Sequence, residues 1–203
     1  MWHANQRQLE RALALSQEND LGDFLIWATL EHDLAQGFRT RSDAEVDQAR
    51  RSLEAVRAKG LGMTFTGWLT NLAELCGMVG HIAAGLDMVG EALIRIEPTG
   101  KRFWEAEVLR IRGDLLLRRV EQLVQQGSNS ETEAETCYHK AVEIARAQNA
   151  KSLELRATMS LTRLWRRQGK SPQAQQMLAE IYGWFTEGFD TGDLRNAKAL
   201  LTE

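Results

Sequence analysis

One set of residues in the second half of this 203-residue chain has types and spacings suited to carboxylate capture. Arg156, Arg163 and Arg167 recur at intervals of seven and four with Met159 between them, and Arg110 and Arg118 stand eight apart upstream. Such intervals gather each set on one side of a helix. A guanidinium is a planar fork that engages both oxygens of a carboxylate, so a row of them suits an acidic peptide segment or a C-terminal carboxylate. Trp104, near the start of the same stretch, has the large apolar surface common among interface anchors. The competing reading of the arginines is a solvated helix face with local salt bridges, such as Glu105 or Glu107 to Arg110. For Trp104, as for Trp27, Trp68 and Trp165, it is packing between helices.

Other chemistries find little to start from. His3, His32, His81 and His139 are scattered singly, Cys76 and Cys137 form no CxxC, and no pair has the i, i+4 spacing of a helical metal site. No serine is marked as activated by a nearby base, and no GxxxxGK[ST] loop is present to cradle phosphates. The expectation is a non-catalytic chain without metal or cofactor. A net charge of −3 argues against nucleic acid, whose binders carry an excess of Lys and Arg. The balance is uneven: residues 1–100 hold nine basic and fourteen acidic residues, and residues 101–203 hold sixteen and fourteen. No apolar run reaches the roughly twenty residues of a membrane span, and the N-terminal MWHANQRQLERAL is too polar for a signal peptide. With two isolated cysteines, a reduced, cytoplasmic setting is expected.

The elements that must position these residues are helices. Apolar residues fall at helical spacing, prolines occur only at 98 and 172, and no run alternates with period two, so the class is all-α. Ser42 with Glu45 and Ser130 with Glu133 have the spacing of capping boxes, Ser171-Pro172 opens another helix, and Asp190 can cap the last, stapled by Phe189 and Leu194. Helices are predicted near 4–18, 20–37, 43–59, 62–79, 81–97, 101–125, 131–148, 151–169, 172–186 and 191–202. Gly60, Gly62, Gly80, Gly100, Gly127 and Gly169 fall in the breaks. Consecutive helices pair into hairpins at about 20–59, 61–97, 101–148 and 151–186, with capping helices at 4–18 and 191–202, in a single domain over 1–203. In the second helices the small residues Gly85, Ala134 and Ala174 are followed four later by Val89, Tyr138 and Leu178. A unit returning about every forty residues indicates stacked hairpins, each burying its apolar face on its neighbours.

This pattern resembles the tetratricopeptide repeat over most of residues 20–186, although the proline that usually closes each unit is missing and the units exceed the usual length of about thirty-four. Residues 101–203 are more specifically similar to the C-terminal helical repeats of large bacterial signalling ATPases, often fused to class III adenylate/guanylate cyclase or transcriptional regulator domains. The similarity lies in Trp104 to Leu117, Lys151 to Arg156, Leu164-Trp165 and Tyr182 to Leu194. It implies a right-handed α-α superhelix whose first helices line a concave groove. Arg110, Asp114, Leu117 and Arg118 on one helix and Arg156, Met159, Arg163, Arg166 and Arg167 on another would then fall on or near the groove face, where Arg110, Arg118, Arg156, Met159, Arg163 and Arg167 meet a partner, with Trp104 as an apolar contact. It also implies that ATPase or cyclase chemistry belongs to other domains of a longer parent protein.

Two further segments follow from solenoid logic. The aromatic tail from Tyr182 to Asp190 should be covered by a final helix whose Leu194, Ala197, Leu200 and Leu201 fold over Trp184, Phe185 and Phe189. The first helix carries Leu9, Ala12, Leu13 and Leu15, a face for a second copy or for the 20–37 helix. The function expected is protein-protein interaction or intramolecular regulation through a basic groove. The alternative is a small-molecule sensor that regulates a linked ATPase or cyclase, and an enzyme is a third reading with no convergent residue set behind it.

Overall fold

Ser42 is extended (φ −110°, ψ 152°) and its side chain accepts a 3.4 Å hydrogen bond from the Glu45 amide, which satisfies a free donor where a helix begins. In a computed structural model describing residues 6–60, 64–99, 102–123 and 128–202, the chain is helical without strands among the described residues. The order is α1 (Gln6–Glu18), α2 (Gly22–Thr40), α3 (Asp43–Ala58), α4 (Phe65–Val79), α5 (Ile82–Thr99), a 3-10 turn (Arg102–Trp104), α6 (Glu105–Leu123), α7 (Ser128–Ala147), α8 (Lys151–Arg167), α9 (Ser171–Tyr182) and α10 (Gly192–Thr202). None of these helices is long and apolar enough to cross a membrane.

The breaks follow backbone chemistry. Gly80 takes a left-handed conformation (φ 92°) that ends α4, and the amide of His81 donates back to the Cys76 carbonyl at 2.8 Å. Asn149 (φ 53°) serves at the α7–α8 turn, where a short polar side chain tolerates the same geometry. Gly60 and Gly169 are left-handed as well, while the turns expected at Gly62, Gly100 and Gly127 lie outside the described residues.

α6 begins at Glu105 and not near 101, α9 ends at Tyr182 and not near 186, and three expected caps are displaced. α7 already begins at Ser128, so Ser130 lies inside the helix instead of capping it. Lys170, not Ser171, precedes α9, and this places Pro172 in the first turn, where its missing N–H has no helical partner to lose. α10 starts at Gly192, with Arg195 donating to the Thr191 carbonyl, so Asp190 sits one residue too early to cap it.

The chain divides into two compact units, Met1–Arg95 and Ile96–Glu203, with the boundary inside α5. In the first, α1 packs on α2, α2 on α3, and α4 on both α2 and α3. Its core is Leu30, Leu34, Val46, Leu53, Leu69, Leu72 and Leu75. The first helix therefore uses α2 as its partner, although Leu15 remains 46% exposed. Asp33 is buried in this unit and accepts from Ser52 Oγ at 2.5 Å and Gln48 Nε2 at 3.1 Å, tying α2 to α3. Trp68 Nε1 donates to Glu31 at 2.7 Å, tying α4 to α2.

In the second unit α6 packs on α7 and α8, α8 on α7 and α9, and α10 on α8 and α9. Each helix thus meets its neighbour in sequence and, for α6, α8 and α10, the next but one. Ala134, Tyr138, Ala174 and Leu178 are buried, as their repeated spacing requires. The tail differs from expectation. α10 lays Leu194, Ala197 and Leu200 on Leu155, Met159, Leu178 and Ile181, with Phe185 and Tyr182 at the margin. Trp184 stays 58% exposed, its ring 5.8 Å from Lys151 Nζ, because the covering helix seats on α8 and α9 and not on the loop between α9 and α10.

A Cβ on Gly113 would stand 2.5 Å from Tyr138 Cε1, closer than any real contact, whereas one on Gly90 meets nothing within 4 Å. Gly113→Ala is therefore expected to destabilise the protein by about 1–3 kcal/mol through overpacking. Gly90→Ala, inside α5, should add about 0.5–1 kcal/mol by stiffening the unfolded chain. Urea denaturation of the two variants beside wild type measures both signs.

Candidate functional site

Glu107 faces inward from the first turn of α6 and is 4% exposed, so its charge needs compensation where it stands. Arg110, three residues on, supplies it as a fork: Nε donates to Oε2 at 3.0 Å and Nη2 to Oε1 at 2.8 Å. The remaining edge of Arg110 donates from Nη1 to Asp114 Oδ2 at 2.7 Å, and Asp114 Oδ1 accepts from Tyr138 Oη of α7 at 2.6 Å. From α8, Arg156 donates through Nη1 to Glu107 Oε1 at 3.3 Å and through Nε to Asp193 Oδ2 of α10 at 2.7 Å. The result is a continuous chain, Asp193–Arg156–Glu107–Arg110–Asp114–Tyr138, which joins α10, α8, α6 and α7.

The charges set the proton affinities. Burial alone would raise the Glu107 carboxyl, but the adjacent Arg110 and Arg156 guanidiniums outweigh it and hold the group below its ordinary 4.5. Tyr138 is pushed far up, by burial first and then by the Asp114 carboxylate that accepts its proton, so the phenol remains a donor. Glu154 and Glu135 are lowered in the same way: burial opposes the shift, and hydrogen bonds from Lys151 and Arg146, and from Trp165 and Lys170, prevail.

Against the outer end of this chain lies a depression of about 400 Å³. α6 presents Asp114, Leu117, Arg118 and Glu121 to it, at intervals of three, one and three that keep them on one side. α8 presents Ser160, Arg163 and Arg167, again at three and four, and Tyr138 contributes from α7. Arg167 Nη1 donates to Glu121 Oε1 at 3.0 Å, with both side chains more than half exposed. Arg163 is exposed and has no ion pair among the described residues.

The structure therefore separates the residues expected to share a groove. Arg118, Arg163 and Arg167 line the depression. Arg110 does not, because Glu107 and Asp114 occupy its fork in the interior. Arg156 is 13% exposed and is drawn between Glu107 and Asp193. Met159 is 4% exposed and belongs to the core that α10 covers, so it has no surface to offer a partner. Arg166 reaches the Leu200 carbonyl near the end of α10. Trp104 sits half-buried in the 3-10 turn, edge-on to Phe103 at 5.3 Å, and does not line the depression.

Asp114 and Leu117, expected beside the groove, do line the depression, whereas Glu121, Tyr138 and Ser160 were not marked by sequence reasoning as parts of a site. The pairing of Asp114 with Arg110 had a usable signal: Glu107, Arg110 and Asp114 follow one another at i+3 and i+4, the spacing of side chains that meet along a helix. No family model matches this sequence, and no curated protein matches it either.

Removing the Glu107 carboxylate takes one of two acceptors from each guanidinium, leaving Arg110 with Asp114 and Arg156 with Asp193, so Glu107→Ala should lose about 3 kcal/mol in urea denaturation. Because the folded-state pKa lies below the unfolded value, the stability Glu107 contributes is complete above pH 4.5 and disappears as the pH falls through its lowered value. The denaturation midpoint of wild type should fall on acidification below pH 4.5, and Glu107→Gln should show a shallower fall over the same interval, with Glu135 and Glu154 supplying the remainder.

Proposed function

We propose that this chain is a non-catalytic helical interaction module, and that residues 96–203 bind an acidic segment of a protein partner at the depression between α6 and α8. The observation that carries the reading is the division of labour among the arginines. Arg110 and Arg156 are consumed by internal carboxylates, while Arg163 is exposed and unpaired among the described residues, one turn from Arg167. A concave wall with guanidiniums at that separation favours successive carboxylates, since each fork binds both oxygens of one and the walls exclude part of the competing water.

Packing of α6, α8 and α10 on alternate neighbours supports a tetratricopeptide-like stack, for which the proposed form is the right-handed superhelix. In this reading the chain serves as the regulatory or interaction part of a larger signalling ATPase or cyclase, and the acidic segment belongs either to another protein or to its own parent. A second reading has a specific basis. About 400 Å³ over a polar floor is also the size of a small-molecule site, which suits an anionic effector.

Fluorescence anisotropy with fluorescein-labelled hexaglutamate, beside hexaglutamine, tests the proposal. Wild type should bind only the acidic peptide, more weakly as salt rises, and Arg163→Glu/Arg167→Glu should lose about tenfold or more in affinity. Both positions are exposed, so melting should change little. Equal binding by the variant, or none by wild type, would overturn the peptide reading. A melting temperature raised by succinate in the absence of peptide binding would establish the effector site in its place.

A further inference from the structure

Among the carboxylates lining the depression, Asp114 is committed on both oxygens, Oδ2 to Arg110 and Oδ1 to Tyr138. Glu121 is the other acidic group, and its carboxylate is bonded across the opening, 3.0 Å from Arg167 Nη1. That contact is the one an acidic ligand would make. We infer that Glu121 is a built-in competitor for the depression, occupying Arg167 until a ligand carboxylate displaces it. The inference rests on the acidic-segment reading and deepens it by naming the residue that sets affinity.

The geometry gives this contact the properties such a competitor needs. The Arg167 and Glu121 side chains are 54% and 62% exposed, so their pairing is screened by water and can be exchanged at little cost. Arg163, one turn earlier on α8, holds no carboxylate of the chain among the described residues. A ligand acid can therefore engage Arg163 first, and a second acid on the same segment then takes Arg167 as Glu121 swings out to solvent. A ligand with one carboxylate gains the first contact and must contest the second. A neutral ligand has nothing with which to displace Glu121, so the pair also selects for segments carrying more than one acid.

Anisotropy with labelled hexaglutamate at about 0.15 M salt, where charges beyond about 8 Å are largely screened, provides the test. Glu121→Gln should tighten binding about three- to fivefold, the release expected from an exposed pair, while in an Arg167→Gln background the same change should alter affinity by about 1.5-fold or less. Wild-type binding that Glu121→Gln leaves unchanged or weakens would overturn the competitor and leave the acidic-segment reading standing. Equal tightening in both backgrounds would also overturn it, because Glu121 would then act as a general negative charge and not through Arg167. Absence of hexaglutamate binding by both wild type and Glu121→Gln would overturn the reading and the competitor together.

Discussion

The second unit is organised around a carboxylate that has been taken out of water. A buried acid is tolerated only where cations and donors replace its hydration, and Glu107 receives three such bonds from two arginines. One of them, Arg110, comes from its own helix and is fixed by local spacing. The other, Arg156, comes from α8 and carries the tie onward to Asp193 of α10. The demand of one side chain thus joins three helices, and it also decides which arginines are left over. Those nearest Glu107 turn inward, and those two turns further along α8 remain at the depression.

The first unit meets a similar demand with weaker partners. Asp33 is buried there and is held by a serine hydroxyl, a glutamine amide and, at 3.4 Å, the His32 imidazole, without a guanidinium. Close packing completes both units by the same device, a glycine opposite a large side chain: Gly37 against Leu75 in the first and Gly113 against Tyr138 in the second. At Gly113 the device has a further effect. The ring seats deeply enough for its hydroxyl to reach Asp114 and to fill the oxygen that Arg110 does not hold.

Much of the architecture was legible because helix signals are local. The Ser42 cap, the left-handed glycines at 60, 80 and 169, and the spacing of buried residues are all written within a few positions of where they act. α7 shows where local signals mislead, since Ser130 and Glu133 have capping-box spacing but the helix had already begun at Ser128. The candidate site was less legible because the fate of an arginine is decided by neighbours distant in sequence. Arg156, Arg163 and Arg167 lie on one stripe of α8, and nothing in that stripe shows that Glu107, 49 positions away, will claim the first. Met159 lies on the same stripe and is closed off by α10, a contact between elements that no spacing rule encodes. The reach of Tyr138 to Asp114 was hidden for a related reason: its position reads as packing, and only its hydroxyl, which needs a partner once buried, pointed further.

The measurement that bears most directly on this organisation is a double-mutant cycle between Glu107 and Arg156, the pair that joins α6 to α8. Glu107→Gln, Arg156→Met and the double variant would each be unfolded in urea beside wild type. A coupling energy of about 1 kcal/mol or more, with the double variant more stable than the sum of the single losses implies, is the expected result for a desolvated tie between the helices. Losses that add to within about 0.5 kcal/mol would contradict it and would show that apolar contacts alone set α8 against α6.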